Sequence, residues 1–187
     1  YPRAAQLIVE CLPPPLDENK TDDDFGDFII APFGEYVVNH GMAREYLSIS
    51  FSTLKELTKR FSMEDAMRSF IREYPSDALK VLNRWVKDKN YHVRRLVSES
   101  TRPLLPWSGR ISLSPEVTLP LLSTLHADST RYVTRSVANH LNDISKDDPD
   151  LVVETIRNWQ TRAEQHPKEL EWLTRHSLRT SIKKGHA

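Results

Sequence analysis

The chain has a single cysteine, five glycines in 187 residues and no long apolar run. Cys11 has no possible partner within the chain, so no disulfide framework holds the fold, and a reduced, cytoplasmic protein is the expectation. Scarce glycine beside twelve prolines points to many helix boundaries rather than many tight β-turns. No stretch approaches the ~18–20 apolar residues of a membrane span, and no charged-then-apolar leader opens the chain. Glycine-rich phosphate loops, a G-x-S-x-G elbow and a Cys/His nucleophile pair are all missing. Seven histidines are present, but His92, His140 and His176 lie far apart and without zinc-ligand spacing. Neither metal nor cofactor is called for.

A formal net charge of zero conceals a polarity. Residues 1–50 carry nine acids against three bases, a net of −6, and the rest of the chain therefore sums to +6. A basic half fits a polyanionic partner, although most charge clusters are solvated faces. The sequence starts at Tyr1 and ends in KKGHA, which reads as a piece of a longer protein.

What the sequence has is a repeat. With LNRWVKDKNYHVRRLVSES (82–100) set over LSTLHADSTRYVTRSVANH (122–140), Leu82 meets Leu122, Asp88 meets Asp128, Val93 meets Val133, Arg95 meets Arg135 and Val97 meets Val137. Upstream, Pro75 and Pro115 each open a segment closing ten residues later at Trp85 or Leu125, and Pro149 leads to Trp159 over the same span. After an insertion of roughly six residues, a third second segment brings Leu173 and Arg175. Helix, short Asp/Asn turn, helix at a period near forty is the HEAT-like pattern, in which helix pairs stack into a solenoid with one continuous core. The expected fold is all-α, a right-handed α-α superhelix, in a single domain over 1–187. Its units run approximately 28–74, 75–114, 115–148 and 149–186. Helices are expected at 2–12, about 28–40, about 43–60 and 63–74, with a polar, acidic loop over 13–27.

Projected at 100° per residue, Val133, Val137, Leu141 and Ile144 form one stripe, with Arg135, Asn139, Asn142 and Lys146 roughly opposite and Asp143 at the edge. In 93–102 the stripe is Val93, Leu96 and Val97, facing away from Arg95, Glu99 and Arg102. Arg175 and Arg179 share that phase on the third copy. Stacking would align Arg95, Arg135 and Arg175 as a ladder on one surface, the concave one. Such a row suits a phosphate backbone; the bland alternative is a set of solvated arginines. DNA contacts are expected from Arg94, Arg95 and Arg102, from Arg135, Asn139, Asn142 and Lys146, and from Arg175, Arg179, Lys183 and Lys184.

Carboxylates on a phosphate-binding face need a reason. One is intramolecular pairing, of Glu99 with Arg95 or Arg102 and of Asp143 with Lys146, at three- and four-residue spacing. Glu64 with Asp65 can simply complement a helix N-terminus capped by Ser62. Trp107 closes RPLLPW, where Pro103 stops the helix and Pro106 keeps the chain extended. It either packs between repeats or is presented for function; Trp85 and Trp159, which keep the period, read as core.

The segments HVRRLVSESTRPLLPW (92–107), SVANHLNDISKDDPDLV (136–152), DFGDFIIAPFGEYV (24–37), ELTKRFSMEDAMRSFI (56–71) and RHSLRTSIKKGH (175–186) resemble the AlkC branch of the AlkC/AlkD bacterial DNA alkylation-repair glycosylases, in the family's order over nearly the whole chain. The resemblance implies a HEAT-like solenoid cradling duplex DNA in a basic concave surface. It implies release of cationic alkylated bases, chiefly 3-methyladenine and in this branch 3-methylcytosine, without a deep base pocket. The catalytic cluster it implies is Glu64, Glu99, Trp107 and Asp143, with Asp147 the competing placement for the last. Two positions depart from the pattern: Ser100 stands where glycine is common, and Leu104 stands where arginine is common, which removes a DNA contact. Family members extend further at both ends, some with a C-terminal immunoglobulin-like module. A monomer acting on DNA in the cytoplasm, nucleoid-associated when bound, is expected.

That chemistry accounts for the carboxylates. Breaking an N-glycosidic bond builds positive charge on the sugar. A cationic base leaves without a general acid, so the protein need only stabilise the sugar cation and aim a water. An indole face on the cationic nucleotide adds about 0.5–2 kcal/mol. The competing classes are a non-catalytic repeat module that binds duplex or branched DNA, and a protein scaffold, which would show an apolar groove.

Overall fold

Prolines set the beat of the fold. In the computed structural model, which describes residues 1–17, 19 and 25–185, Pro75, Pro115, Pro149 and Pro167 each stand in the first turn of a helix: α5 (Pro75–Trp85), α7 (Pro115–Leu125), α9 (Pro149–Arg162) and α10 (Pro167–Lys183). There the missing N–H would have had no partner anyway. The other helices among the described residues are α1 (Pro2–Glu10), α2 (Ala31–Gly41), α3 (Leu47–Thr58), α4 (Glu64–Glu73), α6 (Tyr91–Thr101) and α8 (Arg131–Ile144). Extended pairing among these residues is limited to two isolated bridges, Gly26 with Phe61 and Leu105 with Ser108.

Helices α5–α6, α7–α8 and α9–α10 form three successive hairpins. Leu82 and Leu122, and Val93, Val133 and Leu173, are fully enclosed in one apolar cluster running from Ile30 to Leu173. The insertion in the third copy is absorbed by a longer α9, 14 residues against 11 in α5 and α7, and by a turn at Ala163 with φ of 52°. Helices α2, α4, α6, α8 and α10 pack side by side as one layer, while α5, α7 and α9 lie against the other side.

The repeat also fixes its own turns. Asp88 Oδ1 accepts from the Asn90 N–H and Asp128 Oδ1 from the Thr130 N–H, each at 2.9 Å. A cation from the preceding helix pair reaches each turn: Lys55 Nζ to Asp88 at 2.5 Å and Arg94 Nη2 to Asp128 at 3.0 Å. Arg131 Nε repeats the step onto Glu169 at 2.7 Å.

The N-terminal part departs from the expected spans. The helix expected over about 43–60 is a 3-10 turn, Arg44–Tyr46, followed by α3, and the one expected from 28 opens with a 3-10 turn, Phe28–Ile30. At Gly41, the last residue of α2, the side chains of Ser50 and Tyr1 occupy the place that a Cβ would take. Of the acidic loop, residues 18 and 20–24 lie outside the described residues. Its first part is tied to α3 by Leu16 N–H to the Lys59 carbonyl, 2.9 Å, and by Arg60 Nε to the Pro13 carbonyl, 2.8 Å.

Candidate active site

Three adjacent helices of one layer each contribute a buried carboxylate. Glu64 opens α4, Glu99 lies in the last turns of α6, and Asp143 lies near the end of α8. Helical spacing supplies the first pairings: Glu99 Oε1 lies 3.7 Å from Arg95 Nη2, Glu99 Oε2 3.0 Å from Arg102 Nη1, and Asp143 Oδ1 2.7 Å from Lys146 Nζ. Stacking supplies the rest. Arg102 Nε donates to Asp143 Oδ2 at 2.8 Å, joining α6 to α8. Arg95 Nη1 donates to Ser62 Oγ at 2.7 Å, and the Ser62 hydroxyl in turn donates to Glu64, joining α6 to α4. The result is one chain of alternating charge across three helices, from Glu64 through Ser62, Arg95, Glu99 and Arg102 to Asp143 and Lys146.

Ser62 was expected as an N-cap. It is not one: the capping residue of α4 is Met63, without a side-chain bond, because the Ser62 hydroxyl is committed to the bridge. Asp143 belongs to the network at 6 % exposure, whereas Asp147 is exposed in the turn beyond α8. The phase of an α-helix explains this, since residue 143 faces the neighbouring helix and residue 147 lies past the helix end.

Burial by itself would raise the Glu99 carboxyl, but the guanidiniums of Arg95 and Arg102, with Ser136 beside it, hold it below the ordinary carboxylate range. It is ionised at neutral pH. Tyr132, fully enclosed on α8, faces the same network. Burial, opposed by Arg95 and reinforced by Glu64 and Glu99, pushes its phenol far up, and among the described residues its hydroxyl has no hydrogen-bond partner. His140, beneath Arg102 and Asp143, is pushed down to about 4 by burial and by the Arg102 charge, so it is neutral. The described residues contain no cluster able to hold a metal, and no helix among them is long and apolar enough to cross a membrane.

Trp107 stands apart from the core tryptophans: it is 59 % exposed, while Trp85 and Trp159 are buried. It shares with Glu64 a groove of about 810 Å³ whose walls include the apolar Phe25, Phe28, Phe61 and Met63 and the carboxylates Glu35 and Asp65. Gly26, at φ 91° and with room for no Cβ against the Arg60 carbonyl, brings this segment to Phe61. The turn sets the Phe25 ring 5.1 Å from the Arg95 guanidinium, which also meets the Tyr132 ring at 4.4 Å, and the two rings touch edge to face with centroids 5.9 Å apart.

Several of the residues expected at DNA have partners within the protein. Arg94 is spent on Asp128 and on the Asp88 and Lys89 carbonyls at 2.9 and 2.8 Å, so it straps repeats together. Arg95 is 5 % exposed and packed against both rings, so it is enclosed in this structure. Asn139 accepts from Arg179 Nη2 at 3.1 Å and lies 2.8 Å from His176 Nε2, and Asn142 accepts from the Thr180 N–H at 3.2 Å. Both asparagines bind α8 to α10. The expected ladder is therefore uneven, from buried Arg95 through half-buried Arg135 to exposed Arg175, which is paired with Glu171 on its own helix at 2.6 Å. Half-buried Arg179 and exposed Lys146, Lys183 and Lys184 remain accessible beside the network.

The family model described as "DNA alkylation repair enzyme" matches residues 43–184. The chain belongs to this family. It is similar to the alkylpurine DNA glycosylase AlkC of Pseudomonas fluorescens, in a structure bound to DNA containing an abasic site analog, at a TM-score of 0.83 and 36 % identity, covering 99 % of this chain and 48 % of that one. It is 38 % identical over 156 residues to the uncharacterised protein YhaZ of Bacillus subtilis strain 168, covering 82 % of this chain and 42 % of that protein. AlkD2 of Streptococcus mutans, at 20 % identity and a TM-score of 0.55 over 94 % of each chain, shares the fold. The chain thus spans about half the length of its two more similar relatives. The expected AlkC/AlkD-type helical-repeat fold is the observed one.

Three residues of the site escaped the sequence reading: Ser62 as a bridge, Tyr132 and Arg68. Ser62 lies outside the periodic segments, and Tyr132 lies inside one but meets His92 at the forty-residue offset, so neither carries a spacing signal. Arg68 carried one: it falls on the apolar face of α4 with Met67 and Ile71, one turn after Glu64.

Proposed function

We propose that this DNA alkylation repair family member is a DNA glycosylase that hydrolyses the N-glycosidic bond of cationic alkylated bases, 3-methyladenine and also 3-methylcytosine, in duplex DNA. One observation carries the reading: three carboxylates from three successive helices of one layer converge on a network beside an exposed tryptophan. The resemblance of the DNA-bound AlkC structure to 99 % of this chain adds to it. A structural ion-pair network has no use for an indole held out at its edge.

In this mechanism the lesion base, already cationic, leaves with the bonding electrons and needs no protonation. Positive charge gathers on the deoxyribose. Asp143, at the end of the network beside exposed Lys146, lies against that charge and accepts a hydrogen bond from the attacking water, taking up its proton as the C1′–O bond forms. Glu99, ionised and enclosed, acts through Arg102 by fixing Asp143, and contributes field rather than contact. Glu64 completes the acidic wall on the Trp107 side. Trp107 lays its π-face on the cationic nucleotide. Preorganised stabilisers of this kind are each worth on the order of 10²–10³ in rate. Lys146, Arg179, Lys183 and Lys184 hold phosphates, positioning the duplex without reading its sequence.

The test is base release from duplex DNA carrying 3-methyladenine, comparing the parent chain with Asp143→Asn and Asp147→Asn. Release by the parent and by Asp147→Asn but not by Asp143→Asn is expected. Equal release by all three sinks the assignment of Asp143. Absent release with DNA binding retained would leave either a non-catalytic binding module or a part of a longer enzyme, which release by the full-length protein separates.

A further inference from the structure

Arg68 is fully enclosed and, among the described residues, has no carboxylate within ion-pair distance. Its donors go elsewhere. Nη1 reaches the carbonyl of Arg102 at 2.7 Å and that of Ser100 at 3.4 Å, Nη2 the carbonyl of Gly109 at 2.6 Å, and Nε the hydroxyl of Ser108 at 3.1 Å. Every acceptor lies in the end of α6 or in the loop that carries Trp107. Arg72, one turn on, adds Nη2 to the Gly109 carbonyl at 2.8 Å and to Ser108 Oγ at 3.4 Å.

The loop needs these donors. The last carbonyls of α6 lack helical partners, and Pro103 and Pro106 remove two N–H groups from the segment that follows. Its own backbone bonds are few: Ser108 N–H to the Leu105 carbonyl at 3.3 Å and Ile111 N–H to the Pro103 carbonyl at 3.0 Å. A buried guanidinium without a counter-carboxylate is costly, and an apolar side chain would fill the space at less cost. Burial, with the charges of Arg72 and Arg102 adding to it, depresses the group to about 10, but leaves it cationic. The planar fork matches acceptors in fixed directions, which a lysine does not.

We infer that Arg68 is a positioning residue that clamps the 102–109 loop to α4, setting Trp107 at a fixed distance from Glu64 across the groove and holding the Arg102 backbone so that its side chain lies between Glu99 and Asp143. The catalytic part of this inference rests on the proposed glycosylase reading; the clamp itself does not.

Arg68→Lys, Arg68→Met and the double variant Arg72→Ala/Ser108→Ala separate the two. Without DNA, tryptic cleavage after exposed Arg110 reports release of the loop. It should accelerate about tenfold, as the open loop gains population, in each variant that still unfolds cooperatively. Acrylamide quenching of Trp107, read against Trp107→Phe, should rise with it. If Arg68→Met fails to fold, the double variant, which leaves the buried side chain in place, decides. With DNA, base release at saturating substrate should fall on the order of 100-fold for a misplaced group while DNA affinity changes less than about twofold. Unchanged cleavage at Arg110 in a folded variant overturns the clamp, even if the parent proves to have no glycosylase activity. Accelerated cleavage with an unchanged release rate overturns the positioning role. Full retention of both properties by Arg68→Lys removes the need for the planar fork and overturns the inference as stated.

Discussion

Glu99 is almost without water and is balanced by Arg95 and Arg102, so removing its charge strands two guanidiniums. Breaking such a buried pairing by deleting one partner costs about 3–5 kcal/mol. Glu99→Gln should therefore lower the urea unfolding midpoint by that equivalent, and any loss of base release must be read against the fraction folded. Asp143 is nearly as buried as Glu99, but one of its two partners, Lys146, is exposed and can be solvated when the charge is removed. Asp143→Asn should cost less stability and more activity than Glu99→Gln, and paired urea and base-release curves for the two variants check that ordering. The pairings within one helix, Glu99 with Arg95 and Arg102 and Asp143 with Lys146, were legible because three- and four-residue spacings follow from helix geometry alone. Arg102 to Asp143 and Arg95 to Ser62 were not. Those pairings depend on how one helix slides along the next, which no periodicity encodes.

At the level of elements, the forty-residue offset gave the last three hairpins with their prolines, turns and core leucines. The N-terminal helices escaped a clean reading because no copy of them exists in the chain to align. The offset misled on one point: equal helical phase does not mean equal exposure. Arg95 is covered by Phe25 from outside the repeat, whereas Arg175, on α10, has no helix laid over it among the described residues. Two predictions belong here. Ala163 ends α9 in the left-handed region, where a Cβ is unfavourable, so Ala163→Gly should raise stability by about 0.5–1 kcal/mol, seen as a higher urea midpoint. Arg94→Ala should lower thermal stability but leave unchanged the slope of DNA affinity against salt. Lys183→Ala with Lys184→Ala should instead flatten that slope, by about 0.9 for each phosphate that is no longer neutralised.

For the molecule as a whole, histidines couple folding to pH, and besides His126, which burial also pushes down, two carry the larger share. His140 and His176, the latter stacked on Trp172 and facing Arg179 and Arg135, are both pushed down to about 4, from an ordinary 6.5, by burial and neighbouring cations. The unfolded chain binds protons that the folded chain refuses, so stability is full above about pH 6.5 and is lost as pH falls towards 4. His140 alone contributes roughly 3 kcal/mol to that loss. Urea midpoints should be level between pH 7 and 8 and drop steeply below pH 6, and His140→Gln should remove part of the drop. Glu99 acts in the same direction at still lower pH, since its carboxyl is depressed and its stabilisation vanishes as it is protonated. The division of the three carboxylates among α4, α6 and α8 has a last consequence, in the order of synthesis. Glu64 and Glu99 leave the ribosome well before Asp143, and no nascent chain that stops short of α8 carries a finished site. On the proposed glycosylase reading, a growing polypeptide of this kind would not attack nucleic acid near its own place of manufacture, and its reactivity would arrive in one step when α8 docks.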